Sequence, residues 1–302
     1  MKNTLRVAGL LIPPSIYIFS EKFRNAMTVC ESSPVPTPAC IPWNDNWDGL
    51  QHIKTSDINS NSDVTPMKRT IILVRHGQYV MAKGDKNRVL TELGKKQAQE
   101  TGSRLSILFE KDTLPPLDTI IYSTMQRATE TYNIISSQLK LTLPPTENRR
   151  QACDLIREGA VCRPEPNTWH SPTDKDFEED GERVEKAFQK YFQRSTSTDI
   201  VKQGDTSDNA NPNPNANPNA NANANVDKIK NKGSANSTLF VCHGNVIRYF
   251  TMRALQLPPE AWLRTSVANA SITIINIHPN GRVSLQCMGE TGHLSPELIS
   301  FN

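Results

Sequence analysis

Two short apolar runs, each ending in a histidine and a glycine, constrain the fold of this chain more than any other feature. The first is Thr70–Val74, which leads directly into Arg75-His76-Gly77. The second is Thr238–Cys242, which leads into His243-Gly244-Asn245. Short, β-branched runs of this kind are typical of buried strands. Because sites in α/β sheets form beyond the carboxyl ends of strands, we expect both histidines to face one pocket, with each glycine allowing a sharp turn.

The composition limits the possible partners and the redox environment. The chain has 302 residues, of which 34 are basic and 31 acidic, giving a formal net charge of +3. This balance does not favour a nucleic-acid partner. The six cysteines form no CxxC motif and no recognisable disulfide framework, so we expect mostly free thiols in a reducing compartment.

Strand and helix patterns alternate along residues 68–302, which we predict to be the catalytic domain. Between the two apolar runs and after them, the patterns predict helices over Lys95–Phe109, Met125–Leu139, Glu178–Arg194 and Val246–Leu255, and strands over Asp118–Tyr122, Ser271–Ile277 and Arg282–Met288. We expect Thr91 to cap the first helix and Ser123-Thr124 the second. The Pro279-Asn280-Gly281 turn predicts a terminal hairpin. The resulting prediction is an α/β three-layer sandwich with a mostly parallel central sheet and helices on both faces.

Residues 1–67 precede this domain and have a different character. Leu5–Phe19 is mostly apolar and is flanked by basic residues, but it is shorter than the roughly 20 residues of a membrane-spanning helix. A targeting or anchoring segment, a cleaved secretory signal and a disordered apolar tail remain as alternatives. Ser32–Pro38 has the composition of a linker.

The segment Trp43–Asp48 places two tryptophans within six residues, between polar linkers. One interpretation is a tail whose indoles pack on their own domain. The other is an interface peptide, because tryptophan is enriched at binding hot spots.

A low-complexity tract interrupts the domain. Asn209–Asn225 consists almost only of Asn, Ala and Pro. Such a sequence cannot bury enough apolar surface to offset its ordering entropy. We predict a disordered insertion over about residues 196–237, inert toward the chemistry.

Five side chains have the chemistry of a phosphoryl-transfer site. Arg75 and Arg127 can bind phosphate oxygens, and Arg127 lies in the first turn of a predicted helix, where backbone donors favour an anion. A neutral imidazole of His76 or His243 can attack phosphorus, and Glu158 can protonate a departing oxygen. A metal site made of the two histidines and Glu158 is a competing interpretation that the neighbouring arginines disfavour. A purely structural role for both His-Gly pairs is another.

Several motifs in this order resemble the histidine phosphatase superfamily, also called the phosphoglycerate-mutase-like family. The motifs are Leu73-Val74-Arg75-His76-Gly77, Leu90-Thr91-Glu92-Leu93-Gly94, Ser123–Thr131 and Cys242-His243-Gly244-Asn245. The resemblance covers roughly Lys68 to Met288 and implies the fold of that family. It also implies a phosphatase that needs no metal and no cofactor.

The resemblance implies a role for each matching residue. His76 would be the nucleophile that becomes phosphohistidine, and Glu158 the proton donor. The residues that would hold the transferring phosphoryl group are Arg75, Arg127, His243, Gly77, Gly244 and Asn245.

A closer resemblance is to the mitochondrial protein serine/threonine phosphatases of this superfamily. It is carried by Arg75–Tyr79, Leu155–Ala160, Val246–Tyr249, Pro258–Arg264 and Pro279–Val283. It implies phosphoserine and phosphothreonine proteins as substrates. It further implies a mitochondrial location, at the outer membrane or associated with a membrane that residues 5–19 would contact, with the cytoplasm as the alternative.

Trp43–Asp48 resembles the Trp-Asp-x-Asn-Trp-Asp assembly motif of those phosphatases, with Asn44 in place of the first Asp. The resemblance implies a homodimer that assembles into larger oligomers. The residues that would mediate this assembly are Trp43, Asp45, Asn46, Trp47 and Asp48.

Two other functions remain open on the sequence. One is phosphatase or mutase action on small metabolites such as phosphoglycerates. Mutase action is disfavoured because Gln78–Met81 replaces the Ser- and Asn-containing run of the mutases and no Arg-rich lid accompanies Glu158. The other is a scaffold that acts through Trp43–Asp48, which the presence of all five candidate catalytic residues disfavours.

Overall fold

The computed structural model describes residues 42–49, 66–139, 149–196 and 235–301. The predictions for residues 5–19 and for Asn209–Asn225 lie outside the described residues. The compact unit that contains the sheet also includes Trp43–Asp48, because Trp47 and Asp48 pack against the sheet-containing domain. The domain boundary at Lys68 stays a prediction.

Six strands form the central sheet, and two very short strands form a separate pair. The strands are β1 Pro66–Met67, β2 Arg69–Arg75, β3 Leu117–Ser123, β4 Arg150–Cys153, β5 Ser195–Thr196, β6 Asn236–Cys242, β7 Ile272–Ile277 and β8 Val283–Glu290. The order in the sheet is β4-β3-β6-β2-β7-β8. Neighbours among β4, β3, β6 and β2 run parallel, whereas β7 is antiparallel to both β2 and β8. The sequence predicted neither β4 nor the β1–β5 pair.

Within the described residues, four α-helices cover the two faces of the sheet. They are α1 Glu92–Glu110, α2 Gln126–Gln138, α3 Asp174–Tyr191 and α4 Gly244–Ala254. Side chains alternate along β2: Ile71 and Leu73 join the core beneath α3 and α4. Ile72 and Val74 join the core beneath α1 and α2. Since both faces are covered, the strands are apolar throughout, and the predicted three-layer α/β sandwich is confirmed.

The four described α-helices all begin one to four residues away from the predicted starts. Helix α3 begins at Asp174, not at Glu178, because Thr173 and Asp176 form a capping box that satisfies the first backbone N–H groups. Helix α2 is not capped by Ser123-Thr124. Its cap residue is Met125, which makes no side-chain cap.

Both ends of the low-complexity region are fixed to one short segment. Before it, β5 pairs with β1, with Met67 opposite Ser195. After it, the backbone N–H of Asn236 donates to the Lys68 carbonyl at 3.2 Å, and Arg69 lies opposite Asn236 in the sheet. Residues 196 and 235 therefore both adjoin residues 66–69.

No helix in the described ranges is both long enough and apolar enough to cross a bilayer.

Candidate active site

The carboxyl ends of the parallel strands bring the two histidines together. Arg75 lies opposite Cys242 in the β2–β6 register, so the next residue on each strand is a histidine. The His76 backbone N–H donates to the Cys242 carbonyl at 2.9 Å. The ring centroids of His76 and His243 are 5.1 Å apart. The two histidines are therefore neighbours at this edge of the sheet, and the pocket that they would share stays a prediction.

The contacts of His76 define which ring nitrogen carries the proton. Nδ1 lies 2.8 Å from the Gly77 carbonyl oxygen. A carbonyl only accepts, so Nδ1 must be protonated. Nε2 then carries the lone pair, and it accepts a hydrogen bond from Nε of Arg127 at 3.1 Å. The structure therefore presents Nε2 as the nucleophilic atom of this ring.

Burial keeps both imidazoles neutral. The pKa of His76 is lowered well below 6.5, chiefly by desolvation and then by the charges of Arg127 and Arg75. The pKa of His243 is also lowered well below 6.5 by desolvation, His76 and the nearby arginines. A neutral imidazole retains the lone pair that nucleophilic attack requires.

Ser123, at the end of β3, orients His243. Its Oγ accepts from the Met125 backbone N–H at 3.3 Å, so its own proton is available for His243 Nε2, 2.8 Å away. In the tautomer that accepts from Ser123, the ring proton lies on Nδ1. That Nδ1 is buried and has no hydrogen-bond partner within the described part of the chain. It is a donor that an anion entering the pocket can use.

Arg127 is positioned by groups far from it in sequence. Asp85 accepts from Nη1 of Arg127 at 3.4 Å and from the Gln126 backbone N–H at 3.0 Å. Asp85 therefore accepts from the first backbone N–H of α2, a capping role that the sequence predicted for Ser123-Thr124. Tyr79 lies beneath the guanidinium, with its ring centroid 4.8 Å from Cζ, and packs edge-on against His76.

Arg75 faces the pocket from the end of β2. Its Nη1 donates to the carbonyls of Val267 at 2.8 Å and Phe301 at 3.2 Å. Burial lowers the pKa of Arg75, and the carboxylate of Glu158 partly opposes that shift. Arg75 and Glu158 are therefore electrostatic neighbours.

Glu158 lies in the segment between β4 and α3 and is half-buried. Its Oε1 accepts from the Gly159 backbone N–H at 3.2 Å. Desolvation raises the pKa of Glu158, while Arg127, the backbone of Gly159, Arg75 and the backbone of Asn245 lower it less. A raised pKa favours the protonated carboxyl, the form that can donate a proton.

The two site glycines have different structural reasons. A Cβ on Gly77 would lie 2.5 Å from the Gly94 carbonyl oxygen, so only glycine permits this close backbone approach. A Cβ on Gly244 would meet Nε of Arg75 at 3.5 Å, an ordinary contact. Neither glycine has a positive φ angle, so the change of direction after each strand does not use the left-handed conformation that favours glycine. Asn245 donates to the Gly159 carbonyl at 3.1 Å.

Within the described ranges, no three or more His, Cys, Asp or Glu residues are grouped so that they could hold a metal ion. The Nε2 atom of His76, a necessary ligand in the competing metal interpretation, already accepts from Arg127. The positive charge at this position would repel a cation.

The Trp43–Asp48 segment packs on the domain that carries the site. Trp47 donates through Nε1 to the Gly281 carbonyl at 2.7 Å, and its ring lies 6.2 Å from that of Phe188. Asp48 accepts from the backbone N–H and Nε of Arg194 at 3.0 and 2.9 Å. Trp43, in contrast, is 37% exposed. The packing of Trp47 agrees with the tail-packing interpretation, whereas Trp43 keeps part of its ring exposed.

The sequence missed several residues that hold the site together. Ser123 was assigned only a capping role, and Asp85 had no local pattern to mark it. Thr131 accepts from the Gly77 backbone N–H at 3.0 Å, and Asn269 donates to the His76 carbonyl at 3.3 Å. Only the spacing of Thr131 one helical turn after Arg127 could have suggested its proximity to the pocket.

Comparison with known families gives one match that spans most of the domain. A family model described as the histidine phosphatase superfamily (branch 1) matches residues 71–151 and 174–289. Among solved structures, phosphoglycerate mutase from Plasmodium falciparum is 27% identical, with a TM-score of 0.42, and the alignment covers 76% of this chain and 93% of that one.

Curated proteins from several animals are similar over almost the whole chain. Serine/threonine-protein phosphatase PGAM5, mitochondrial, from Xenopus laevis is 37% identical over 281 residues, which is 88% of this chain and 86% of the relative. The protein of that name from Drosophila ananassae is 37% identical over 89% of this chain and 84% of its own length. The human protein is 35% identical over 85% and 80%, respectively.

Proposed function

Because the chain belongs to the histidine phosphatase superfamily, we propose that it is a metal-independent phosphatase acting on phosphoserine and phosphothreonine in proteins through a phosphohistidine intermediate. His76 is the nucleophile and Glu158 the proton donor. Arg75, Arg127 and His243 bind the phosphoryl group, with Gly77, Gly244 and Asn245 lining its binding site.

One observation carries the proposal more than any other. His76 is held neutral, with its proton on the Nδ1 that donates to Gly77. Its Nε2 lies in contact with the Arg127 guanidinium. A phosphoryl group placed there meets a nucleophilic lone pair and charge-stabilising donors together, which is the combination phosphoryl transfer requires.

The residues support a two-step reaction. Nε2 of His76 attacks phosphorus, the bond to the seryl or threonyl oxygen breaks, and Glu158 gives its proton to that oxygen. In the second step a water attacks phosphohistidine, and the Glu158 carboxylate takes the water proton. Inorganic phosphate and neutral His76 result. Arg75 and Arg127 neutralise the charge on the non-bridging oxygens, and Nδ1 of His243 donates a hydrogen bond to one of them.

The substrate class follows from the relatives. Those with 35–37% identity over most of this chain carry the name serine/threonine-protein phosphatase. The same names include the word mitochondrial, and we extend both properties to this chain. Membrane contact by residues 5–19 remains a prediction.

The test compares turnover of phosphoserine peptides with that of phosphoglycerates. We expect higher kcat/KM with the peptides and trapping of a phosphoenzyme that His76→Ala abolishes. A preference for phosphoglycerates would assign the site to small metabolites. Unchanged turnover in His76→Ala would exclude the phosphohistidine pathway.

We also propose that the protein is a homodimer that forms larger assemblies through Trp43, Asp45, Asn46, Trp47 and Asp48. The structure supports different roles for the residues of this segment. Trp47 and Asp48 fasten it to the domain, while Trp43 leaves apolar surface exposed that another subunit can bury.

A further inference from the structure

The segment that carries Glu158 is held by a residue of helix α3. Residues 157–160 belong to no strand or helix, so their backbone groups need other partners. Arg183 supplies three donors. Its Nη1 donates to the carbonyls of Leu155 at 2.8 Å and Arg157 at 3.0 Å. Its Nη2 donates to the carbonyl of Glu158 at 3.4 Å.

Asp180 completes the attachment one helical turn earlier. Its Oδ1 accepts from Nη2 of Arg183 at 2.6 Å, and its Oδ2 accepts from the Ala160 backbone N–H at 2.9 Å. The side chains of Asp180 and Arg183 are 30% and 13% exposed. An ion pair this sheltered holds its geometry better than one in solvent, because charge-assisted hydrogen bonds are strong when screened from water.

The contact between the helix and the segment leaves no spare room. A Cβ on Gly159 would lie 2.3 Å from Cγ of Asp180 and 2.7 Å from Nη2 of Arg183. A Cβ on Gly181 would lie 2.8 Å from the Val161 carbonyl oxygen. The segment therefore packs closely against α3 on both sides of this contact.

We propose that Asp180 and Arg183 are positioning residues for the proton donor Glu158. This inference rests on the proposed function. A general acid works only within hydrogen-bond reach of the leaving oxygen, and a displacement of about 1 Å can lower a rate about 100-fold. Arg183 and Asp180 act through the backbone on both sides of Glu158.

The experiment uses leaving groups that differ in their need for a proton. A phosphoserine peptide releases a poor leaving group, whereas p-nitrophenyl phosphate releases a good one. Arg183→Met should lower kcat/KM for the peptide by about 10- to 100-fold and change that for the aryl phosphate much less. The matched control is Lys186→Met, which removes an exposed ion pair with Glu182 on the same helix and should leave both values unchanged.

Three further variants make the result specific. Arg183→Lys keeps the charge but lacks the planar fork, so it should show the same selective loss. Gly159→Ala should show the same selective loss, because its Cβ would push the segment away from Asp180. This variant still tests the inference if Arg183→Met fails to fold. Adding Arg183→Met to Glu158→Gln should cost nothing more on the peptide, because coupled residues are non-additive.

The outcomes separate this inference from the proposed function. Equal losses on both substrates, or full additivity with Glu158→Gln, would overturn the positioning role and leave Glu158 as the acid. If Glu158→Gln itself lowers both substrates equally, the acid role of Glu158 fails, and the positioning role fails with it.

Discussion

At the scale of single residues, the side chains that orient the candidate site come from positions remote in the chain. His76, His243 and Arg127 were identified because their types and neighbours in sequence are distinctive. Asp85 and Ser123 reach the site only through the fold, since their partners Arg127 and His243 are remote in the chain. Short polar residues occur everywhere in a sequence, so no local pattern distinguishes those that orient a catalytic group.

The neutrality of His243 predicts a dependence of stability on pH. Its folded-state pKa lies below the ordinary 6.5, so below that pH the unfolded chain binds more protons and the free energy of unfolding falls. One such histidine contributes at most about 1.4 kcal/mol per pH unit. Lowering the pH from about 7 to about 5 should therefore destabilise the wild type more than His243→Gln, measured by urea unfolding. Equal losses would mean that His243 is not held neutral.

The two site glycines should respond differently to a methyl group. Gly77→Ala places Cβ 2.5 Å from the Gly94 carbonyl oxygen and should cost about 2 kcal/mol or more. That corresponds to a fall in Tm of about 4 °C or more in a domain of this size. Gly244→Ala is the matched control. It makes only ordinary contacts, and its Tm should stay within a degree or rise, as alanine favours a helix about 1 kcal/mol more than glycine.

At the scale of elements, periodicity located helices and strands better than their ends. The apolar strands β2 and β6 were clear because both faces are buried. The start of α3 was misplaced because its first turn is acidic and exposed, which resembles a solvated loop. The signal that was present is the Thr173 to Asp176 spacing of a capping box. Strand β4 has the sequence Arg150–Cys153 and lies at the sheet edge, so it lacks the apolar run of an inner strand.

The capping box should contribute measurably to the stability of α3. Thr173→Ala removes the hydroxyl that accepts from the Asp176 backbone N–H at 3.2 Å. The expected cost is about 1 kcal/mol, read from chemical denaturation. Thr173→Ser preserves the acceptor and should be close to wild type. A loss as large in Thr173→Ser would show that the methyl group, not the cap, stabilises the helix.

At the scale of the whole molecule, replacing Trp43 should mainly affect assembly, whereas replacing Trp47 should mainly affect stability. Trp43→Ala removes the apolar surface that we propose another subunit buries, and it should reduce the proposed oligomer to a dimer, measured by light scattering. Trp47→Ala removes a packed ring and the bond to Gly281, and should destabilise the domain by about 2 kcal/mol. If Trp43→Ala keeps both the mass and the phosphopeptide rate of the wild type, Trp43 does not mediate assembly.

Removal of the low-complexity tract should leave catalysis intact. Deleting Asn209–Asn225 shortens a connection whose closure entropy changes by only about 0.6 kcal/mol for each doubling of length. We expect kcat, KM and Tm close to those of the full chain. A large loss of activity would show that the tract or its attachment points contact the site.

Residues 196 and 235 both adjoin residues 66–69, so the connection between them begins and ends at one place in the domain. Both ends of the connection lie beside the same four residues. The length of the connection therefore does not set the distance between β5 and β6. A folded guest domain with adjacent termini, such as a fluorescent reporter, could be installed here without moving His76 relative to His243.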